Sequence, residues 1–537
     1  SGIVAITLSP MMSSKLLRPK DAEAGFAGMI ARYFEKLRGW YTRRLASTLQ
    51  WRPVTLTLAG IVIALMVPFF MFSQSELAPK EDQGFIMGIA QAAPNSTLDQ
   101  TLLYTRQVHE VYKSIPETEN TFQITSPSFG FGGMTVVPWS QRKRTTETIL
   151  GEVFGKLAGI PGVQAIAFTP SPLPGGGDFP VEFIIASTAE PRELQDFAQQ
   201  LVLKAFASGL FMYADTDLKF DQPQSEIVFD RDKVASLGLN LQQVGADLGT
   251  MLGGNYVNRF SIQGRSYKVI PQVTRVQRLT PDQINDMYVS GPAGQLVQLS
   301  TFATLKQTTE PRAISRFQQL NSVKIQGAIA PGVTLDQALK MLEGEAAKIL
   351  PRGYRVDYAG EARQLRVEGN NLNTTLALSL ILIFLVLAAQ FESFRDPLII
   401  LLGSVPLALS GSLLFTCLGF TTLNIYSQIG LITLVGLVSK NGILIVEFAN
   451  TLQETGKSKL DAVVEAAGTR LRPVLMTSVA TIAGHLPLVF ASGPGAGCRN
   501  SIGMVLVTGM AIGTVFTLFI LPSIYVLIAR ERKKAVA

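Results

Sequence analysis

The sequence predicts an α-helical membrane bundle joined to a large α+β domain outside the bilayer. Three observations predict it. The 537 residues are 47% hydrophobic and only 16% charged, with a mean hydropathy of +0.28, which is too apolar for a wholly soluble protein. Long apolar runs gather near the two ends of the chain and leave a soluble-looking middle. That middle alternates strand-like runs with amphipathic helical ones.

Taken in order, residues 1–17 begin with Ser1 inside an apolar stretch, without an initiator Met or a signal-peptide charge pattern. They are expected to be the end of a membrane helix whose start is missing. Residues 18–52 are basic and aromatic at helical spacing. They are expected to form a cytoplasmic connecting helix that is either solvated or lying on the membrane surface. Residues 53–74 form the first full span. Five more follow within 372–530, near 374–390, 397–418, 424–449, 473–491 and 501–528.

Charge sets the orientation. Lys15, Arg18, Lys20, Arg32, Lys36, Arg38, Arg43, Arg44 and Arg52 precede the first span, and Arg530, Arg532, Lys533 and Lys534 follow the last. Both ends, and the 457–470 loop, are therefore expected inside the cell, with 75–371 outside and 531–537 as a cytoplasmic tail. The net charge of +7 is explained by these flanks, so nucleic acid is not implied as a partner.

The exterior segment carries strand-like runs (GFIMGIAQ, VQAIAFTP, VEFIIAST, SVKIQGAI, YRVDYAG) between helical runs at 97–115, 145–157, 191–206 and 334–349. Ser96 and Thr334 stand as N-caps before similar TLDQ stretches. This order suits repeated split βαβ units of the ferredoxin-like kind. A third module fits 225–311, with a hairpin in NYVNRFSIQGRSYKVIPQV. The run SPLPGGGDFP (171–180) reads as a boundary or crossover.

Lys440 carries the main functional signal. It lies in the span 424–449, where an ammonium costs roughly 2.5–3.5 kcal/mol by insertion scales. The six spans hold no Asp and a single Glu, Glu447, seven positions further along the same helix. The countercharge of Lys440 is therefore expected outside this chain, which would make the chain half of an ion-coupled machine. A snorkelling or structural Lys440 is the plainer alternative. Thr433, Ser439 and Asn441 argue against it, because polar side chains inside membranes face a bundle or a wet path. Arg470 and Thr477 share a face of the next helix if that helix starts early. Gly509 and Gly513 form a GxxxG pair suited to close helix packing.

Outside the membrane, Phe129-Gly130-Phe131-Gly132-Gly133 reads as a flexible loop presenting two rings. It would either line a pocket for greasy ligands or plug a core. Phe122, Phe168, Phe179 and Phe183 are candidates for the same region. Two cysteines (Cys417, Cys498) and two histidines (His109, His485) make a disulfide framework or a zinc site a poor fit. No nucleotide-binding, metalloprotease or Ser/His/Asp motif occurs, so neither an enzyme nor a cofactor is expected.

GLVSKNGILIVEFAN (436–450), RLRPVLMTS (470–478), LPLVFASGPGAG (486–497) and AAQFESFRDPL (388–398) resemble the C-terminal half of a resistance–nodulation–division efflux pump of the hydrophobe/amphiphile, AcrB/MexB-like branch. GNYVNRF (254–260), PKEDQGF (79–85) and FGFGG extend the resemblance over essentially the whole chain. It implies a homotrimer in the bacterial inner membrane that exports amphiphilic compounds by proton antiport. The implied partners are a periplasmic adaptor, an outer-membrane channel and the N-terminal half of the same pump.

The resemblance also assigns residues. Lys440, with Asn441 beside it, matches the lysine that pairs with two Asp of the N-terminal half, and Arg470 and Thr477 resemble the proton relay. Phe129, Gly130 and Phe131 resemble a switch loop between two drug pockets, Phe168 a pocket aromatic, and Lys219 a basic residue of the outer pocket. The loop departs from the family in being shorter after Gly133 and lacking the usual Arg, and Gly133 or Met134 replaces a pocket Phe. Substrate range is therefore not carried over. The implied periplasmic division is 80–177 for a first porter subdomain, 178–222 with 312–365 for a second, and 223–311 for a docking subdomain. A non-transporting scaffold or sensor with an exterior ligand-binding domain, and a metal-ion exporter, are the competing readings.

Overall fold

The computed structural model describes residues 2–16, 25–330 and 332–532. The residues 17–24 and 533–537, including Arg18, Lys20, Lys533 and Lys534, lie outside the described set. The chain opens with helices α1 (Gly2–Leu16), α2 (Gly25–Gln50) and α3 (Arg52–Phe72).

A first α/β unit follows: β1 (Phe85–Ala92), α4 (Leu98–Lys113), β2 (Thr118–Ser126), β3 (Phe129–Val136), α5 (Thr146–Leu157) and β4 (Val163–Phe168). Its antiparallel sheet runs β2-β3-β1-β4. Both helices cover one face, and Ile86, Tyr112, Met134, Ile149 and Val153 fill the core between. Thr97 and Thr145 cap the two helices, their hydroxyls accepting from the Gln100 and Thr148 amides. The expected cap Ser96 does not serve. Its neighbour Thr97 holds the cap geometry, and the Ser96 hydroxyl is buried without a partner.

The second unit starts with β5 (Val181–Ser187), α6 (Pro191–Ala207) and β6 (Phe211–Thr216). The chain then leaves through β7 (Gln222–Phe229), α7 (Arg231–Ser236), α8 (Leu241–Gly253), β8 (Asn258–Ile262), β9 (Arg265–Val269), β10 (Tyr288–Ser290), β11 (Leu296–Gln298) and β12 (Ala303–Glu310). It returns as β13 (Ser315–Phe317), β14 (Leu320–Ile329), α9 (Leu335–Ile349) and β15 (Arg355–Tyr358). In this sheet β6 and β13 both pair with β14, followed by β5 and β15. Without β13, the order β6-β14-β5-β15 repeats that of the first unit. The excursion is tied at its base by β7 against β12 and has its own core around Val244, Leu248, Leu299 and Phe302. The expected hairpin is β8–β9, turning at Gln263 and Gly264, both at positive φ. Thr334 caps α9 as expected, in a reciprocal capping box with Gln337.

The chain ends in α10 (Gly360–Phe391), α11 (Arg395–Cys417), α12 (Ile425–Glu454), α13 (Lys459–Val489) and α14 (Ala496–Ile528). Among the described residues, five segments are long and apolar enough to cross a membrane: Arg52–Phe72, Thr374–Phe391, Arg395–Cys417, Ile425–Glu454 and Ala496–Ile528. The sixth expected span, 473–491, is not among them. It is the second half of α13, a single helix that also holds Arg470 and Arg472, and the charge and His485 dilute its apolar stretch. It packs beside α12 and α14 all the same, with Leu471 and Val474 buried in the core those helices share.

Close packing here depends on small residues. A β-carbon at Gly509 would overlap Leu434 of α12 and Ser412 of α11, and one at Gly513 would sit 2.7 Å from the Ala408 β-carbon. Gly509→Val is expected to destabilise the bundle by about 1–3 kcal/mol or more through overpacking. The amount of intact protein surviving detergent extraction and heating checks this.

Candidate functional site

Lys440 lies on α12, half-buried, facing α13. Asn424 fixes the start of α12 by accepting from the Tyr426 and Ser427 amides. The Lys440 Nζ donates to Thr481 Oγ1 at 3.3 Å, and Thr481 in turn donates to the Thr477 carbonyl at 2.8 Å. Among the described residues no carboxylate pairs with Lys440, and Glu447 is exposed. An ammonium held by one hydroxyl keeps two donors free. It is placed to accept a countercharge rather than already neutralised.

The other expected relay residues do not gather around that ammonium. Asn441 is fully buried, and its Nδ2 donates to Ser478 at 3.1 Å and Thr514 at 3.5 Å, joining α12, α13 and α14. Successive helix residues point about 100° apart, so Asn441 faces the helix junction while Lys440 faces α13. Arg470 lies over the Phe448 ring at 4.6 Å, its Nε buried without a partner. Phe448 is eight residues beyond Lys440, about 12 Å along the axis. The Thr477 hydroxyl bonds the Val474 carbonyl at 3.1 Å and does not reach Lys440. Thr481, one turn further on, takes that place. The sequence did hold a signal for it, since Thr477 and Thr481 are spaced four apart on one helix face.

Between the two α/β units lies a cavity of about 520 Å³. Strand alternation builds one wall. Even-numbered residues of β1 are buried toward the helices, leaving Met87, Ile89 and Gln91 on the cavity face. Phe129 and Phe131 of β3, and Gln164, Ile166 and Phe168 of β4, share that face. The crossover 170–179, Tyr213 and Gln326 close the other side. Phe168 and Tyr213 flank Phe179, each with ring centroids 5.6 Å from it.

The expected flexible loop at 129–133 is therefore a strand, hydrogen-bonded on both sides. Its Phe/Gly alternation is a period-two pattern, with the two rings on one face and Gly130 and Gly132 on the other. Gly130 is buried away from the cavity, where Thr105 of α4 closes onto it, so it does not line the site. Phe122 lies one row beyond the cavity and packs on Phe131 at 5.6 Å. Lys219 is not at the cavity either. Asp215, four residues earlier, holds it in an ion pair. Tyr213, Gln91, Gln164 and Gln326 were not anticipated, because the wall they form exists only once the two units meet.

Beneath this cavity a smaller one of about 70 Å³ shares Phe168, Ser171, Gly177 and Phe179 with it. Glu361, near the start of α10, and Glu76, in the strand-like link after α3, border it. Burial pushes the Glu361 carboxyl up to about 7, against a hydrogen bond from Ser171 and reinforced by the charge of Glu76. Burial raises Glu76 as well, opposed by a hydrogen bond from Thr422.

Membrane-length helices, one of them carrying Lys440, joined to paired α/β units that enclose an aromatic cavity, define a membrane protein with a large α/β domain. The chain belongs to the AcrB/AcrD/AcrF family of resistance–nodulation–division multidrug efflux transporters, whose family model matches residues 1–529. An "Uncharacterized transporter" of Haemophilus influenzae is 40% identical over 99% of this chain. The "Multidrug export protein AcrF" of Escherichia coli is 31% identical over 99% of it. The "Toluene efflux pump membrane transporter TtgB" of Pseudomonas putida is 30% identical over 98%. The chain spans about half the length of these relatives: 53%, 53% and 52%.

Proposed function

We propose that this chain supplies the lysine-bearing half of a proton-driven exporter of amphiphilic compounds, set in the inner membrane with its α/β units in the periplasm. The observation that carries the reading is Lys440, an ammonium in a membrane-length helix with no carboxylate beside it among the described residues. Carboxylates of the other half would pair with it, and their protonation would release it and let the helices shift. Thr481 would hold the ammonium meanwhile. Asn441, Ser478 and Thr514 would transmit the shift between three helices, and Arg470 and Thr477 would line the proton's path on α13.

The movement would reach the periplasm through α10, which runs without a break from the second α/β unit into the membrane. Both units have the strand order of the split βαβ kind, which supports reading 80–177 as one porter subdomain and 178–222 with 312–365 as the other. The excursion 223–311 then fits a docking subdomain facing an outer-membrane channel, with an adaptor and a homotrimer completing the assembly. Substrate would occupy the cavity between the units, its apolar body against Phe129, Phe131, Phe168 and Phe179.

Substrate-dependent proton flux in vesicles holding the assembled transporter tests the reading, since a scaffold or sensor would give none. Phe168→Ala removes the ring packed at a tilt against Phe179, and such aromatic pairs contribute about 1 kcal/mol beyond their area. The variant is expected to bind a fluorescent amphiphile about tenfold more weakly once the lost apolar area is added. Titration by fluorescence polarisation checks this.

A further inference from the structure

Among the described residues, one face of α2 has no partner. Arg32, Tyr33, Lys36, Trp40, Arg43 and Arg44 recur at three- and four-residue spacing and are all exposed, with Trp51 continuing the line just past the helix end. Tyr33, Trp40 and Trp51 are 68%, 49% and 68% exposed. The opposite face is firmly seated. Tyr41, Leu45 and Leu49 are buried, the Tyr41 hydroxyl donates to the Leu518 carbonyl at 2.6 Å, and the Phe34 ring takes the Arg472 guanidinium at 5.6 Å. Rotation of the helix to hide the aromatic stripe is thereby blocked.

Among the described residues no carboxylate pairs with Arg32, Lys36, Arg43 or Arg44. The one acid of α2, Glu35, is paired with Arg38 at 3.6 Å. Only Trp51 separates α2 from α3, whose membrane-length window is just 11% buried within the protein. The end of α2 is thus tied to the start of the membrane-length helix α3, with Trp51 at the junction.

We propose that the Arg32–Trp51 stripe of α2 is a docking surface for anionic phospholipid headgroups, with Arg32, Lys36, Arg43 and Arg44 meeting the phosphates and Tyr33, Trp40 and Trp51 seated at the acyl boundary. Charge complementarity carries the choice of an anionic lipid: four unpaired cations alternate with rings suited to the membrane interface. The inference rests on the chain being a membrane protein and is independent of the proposed proton mechanism. It assigns α2 a role in choosing lipids beyond linking two spans.

The test uses the assembled transporter in mixed phosphatidylcholine–phosphatidylglycerol vesicles with spin-labelled forms of each lipid. The immobilised fraction of each label is compared between wild type, the pairs Arg32→Gln/Lys36→Gln and Arg43→Gln/Arg44→Gln, and the fourfold variant. Wild type is expected to hold the glycerol lipid in excess. The excess should shrink by up to about fivefold per cation removed and collapse at high salt. Each pair alters only exposed side chains, so folding is preserved even if the fourfold variant is lost. Equal retention of both labels by wild type would overturn the proposal. So would an excess that both pairs keep in full, or binding of an acidic protein at this face without any lipid preference.

Discussion

Lys440→Ala is expected to abolish energised export while leaving the assembled protein at normal levels. The two parts of that expectation have separate physical grounds. Folding survives because the buried contacts holding α12, α13 and α14 together run through Asn441, Ser478 and Thr514, and none of them involves the ammonium. Removing an unneutralised charge from a membrane helix even relieves roughly 2.5–3.5 kcal/mol of insertion cost. On the proposed mechanism coupling would be lost because Lys440 is the one cation of α12, so nothing else on that helix could answer protonation of a facing carboxylate. One proton crossing 100 mV supplies about 2.3 kcal/mol, so losing it lowers the attainable substrate gradient about 50-fold.

Lys440→Arg separates coupling from mere anchoring. A lysine that only snorkelled would be replaced by arginine without loss. A lysine that must fit Thr481 and a carboxylate in turn would not, because a planar guanidinium presents its donors differently. Drug accumulation and protein level measured in the same cells decide between them. Undiminished export by Lys440→Ala at normal protein level would remove the coupling role.

The features legible in the sequence were those that one element carries by itself. Strands β1, β4, β5, β14 and β15 are marked by short strand-like runs, and α9 announces itself with Thr334 three residues before Gln337. Lys440 stood out because a single cation in a long apolar run needs no tertiary information to be anomalous. Features that arise between elements were hidden. Thr481 becomes the partner of Lys440 only through the register of α13 against α12. The cavity wall of Gln91, Gln164, Gln326 and Tyr213 needs both sheets at once.

β3 was hidden for another reason. Its glycines suggest flexibility in the sequence, whereas Gly130 and Gly132 are small because Thr105 and Gln123 occupy the space a side chain would fill. The edge strand β2 has seven polar residues in nine and little buried surface, so its alternation carries no hydrophobic signal.

Glu361→Gln is expected to remove a pH-dependent weakness at the joint between the α/β units and the membrane helices. Gly177 of the crossover presses on Gly360, the first residue of α10, so the neighbouring Glu361 carboxyl has little room to reach water. Lys80 is a cation close enough to favour its charge, and Glu76 opposes it. Asp178 and Glu81 also border the small cavity, while Glu182 behind it is paired with Lys324.

The sign follows from the shift. The folded carboxyl is raised from 4.5 to about 7, so between those values the folded protein binds a proton that the unfolded chain does not. Stability is therefore full below about 4.5, falls as pH rises through 7, and stays low above it. At 1.36 kcal/mol per pKa unit, the ionised group costs the folded state about 3 kcal/mol at pH 8. Glutamine has the same shape and no charge to bury. The variant should match wild type near pH 4.5 and melt several degrees higher at pH 8. In wild type, hydrogen-exchange protection at the start of α10 should fall between pH 4.5 and about 7, and in Glu361→Gln that step should disappear. An unchanged difference between the two proteins from pH 4.5 to 8 would mean that Glu361 stays ionised in its pocket, and that proton binding does not reach this joint.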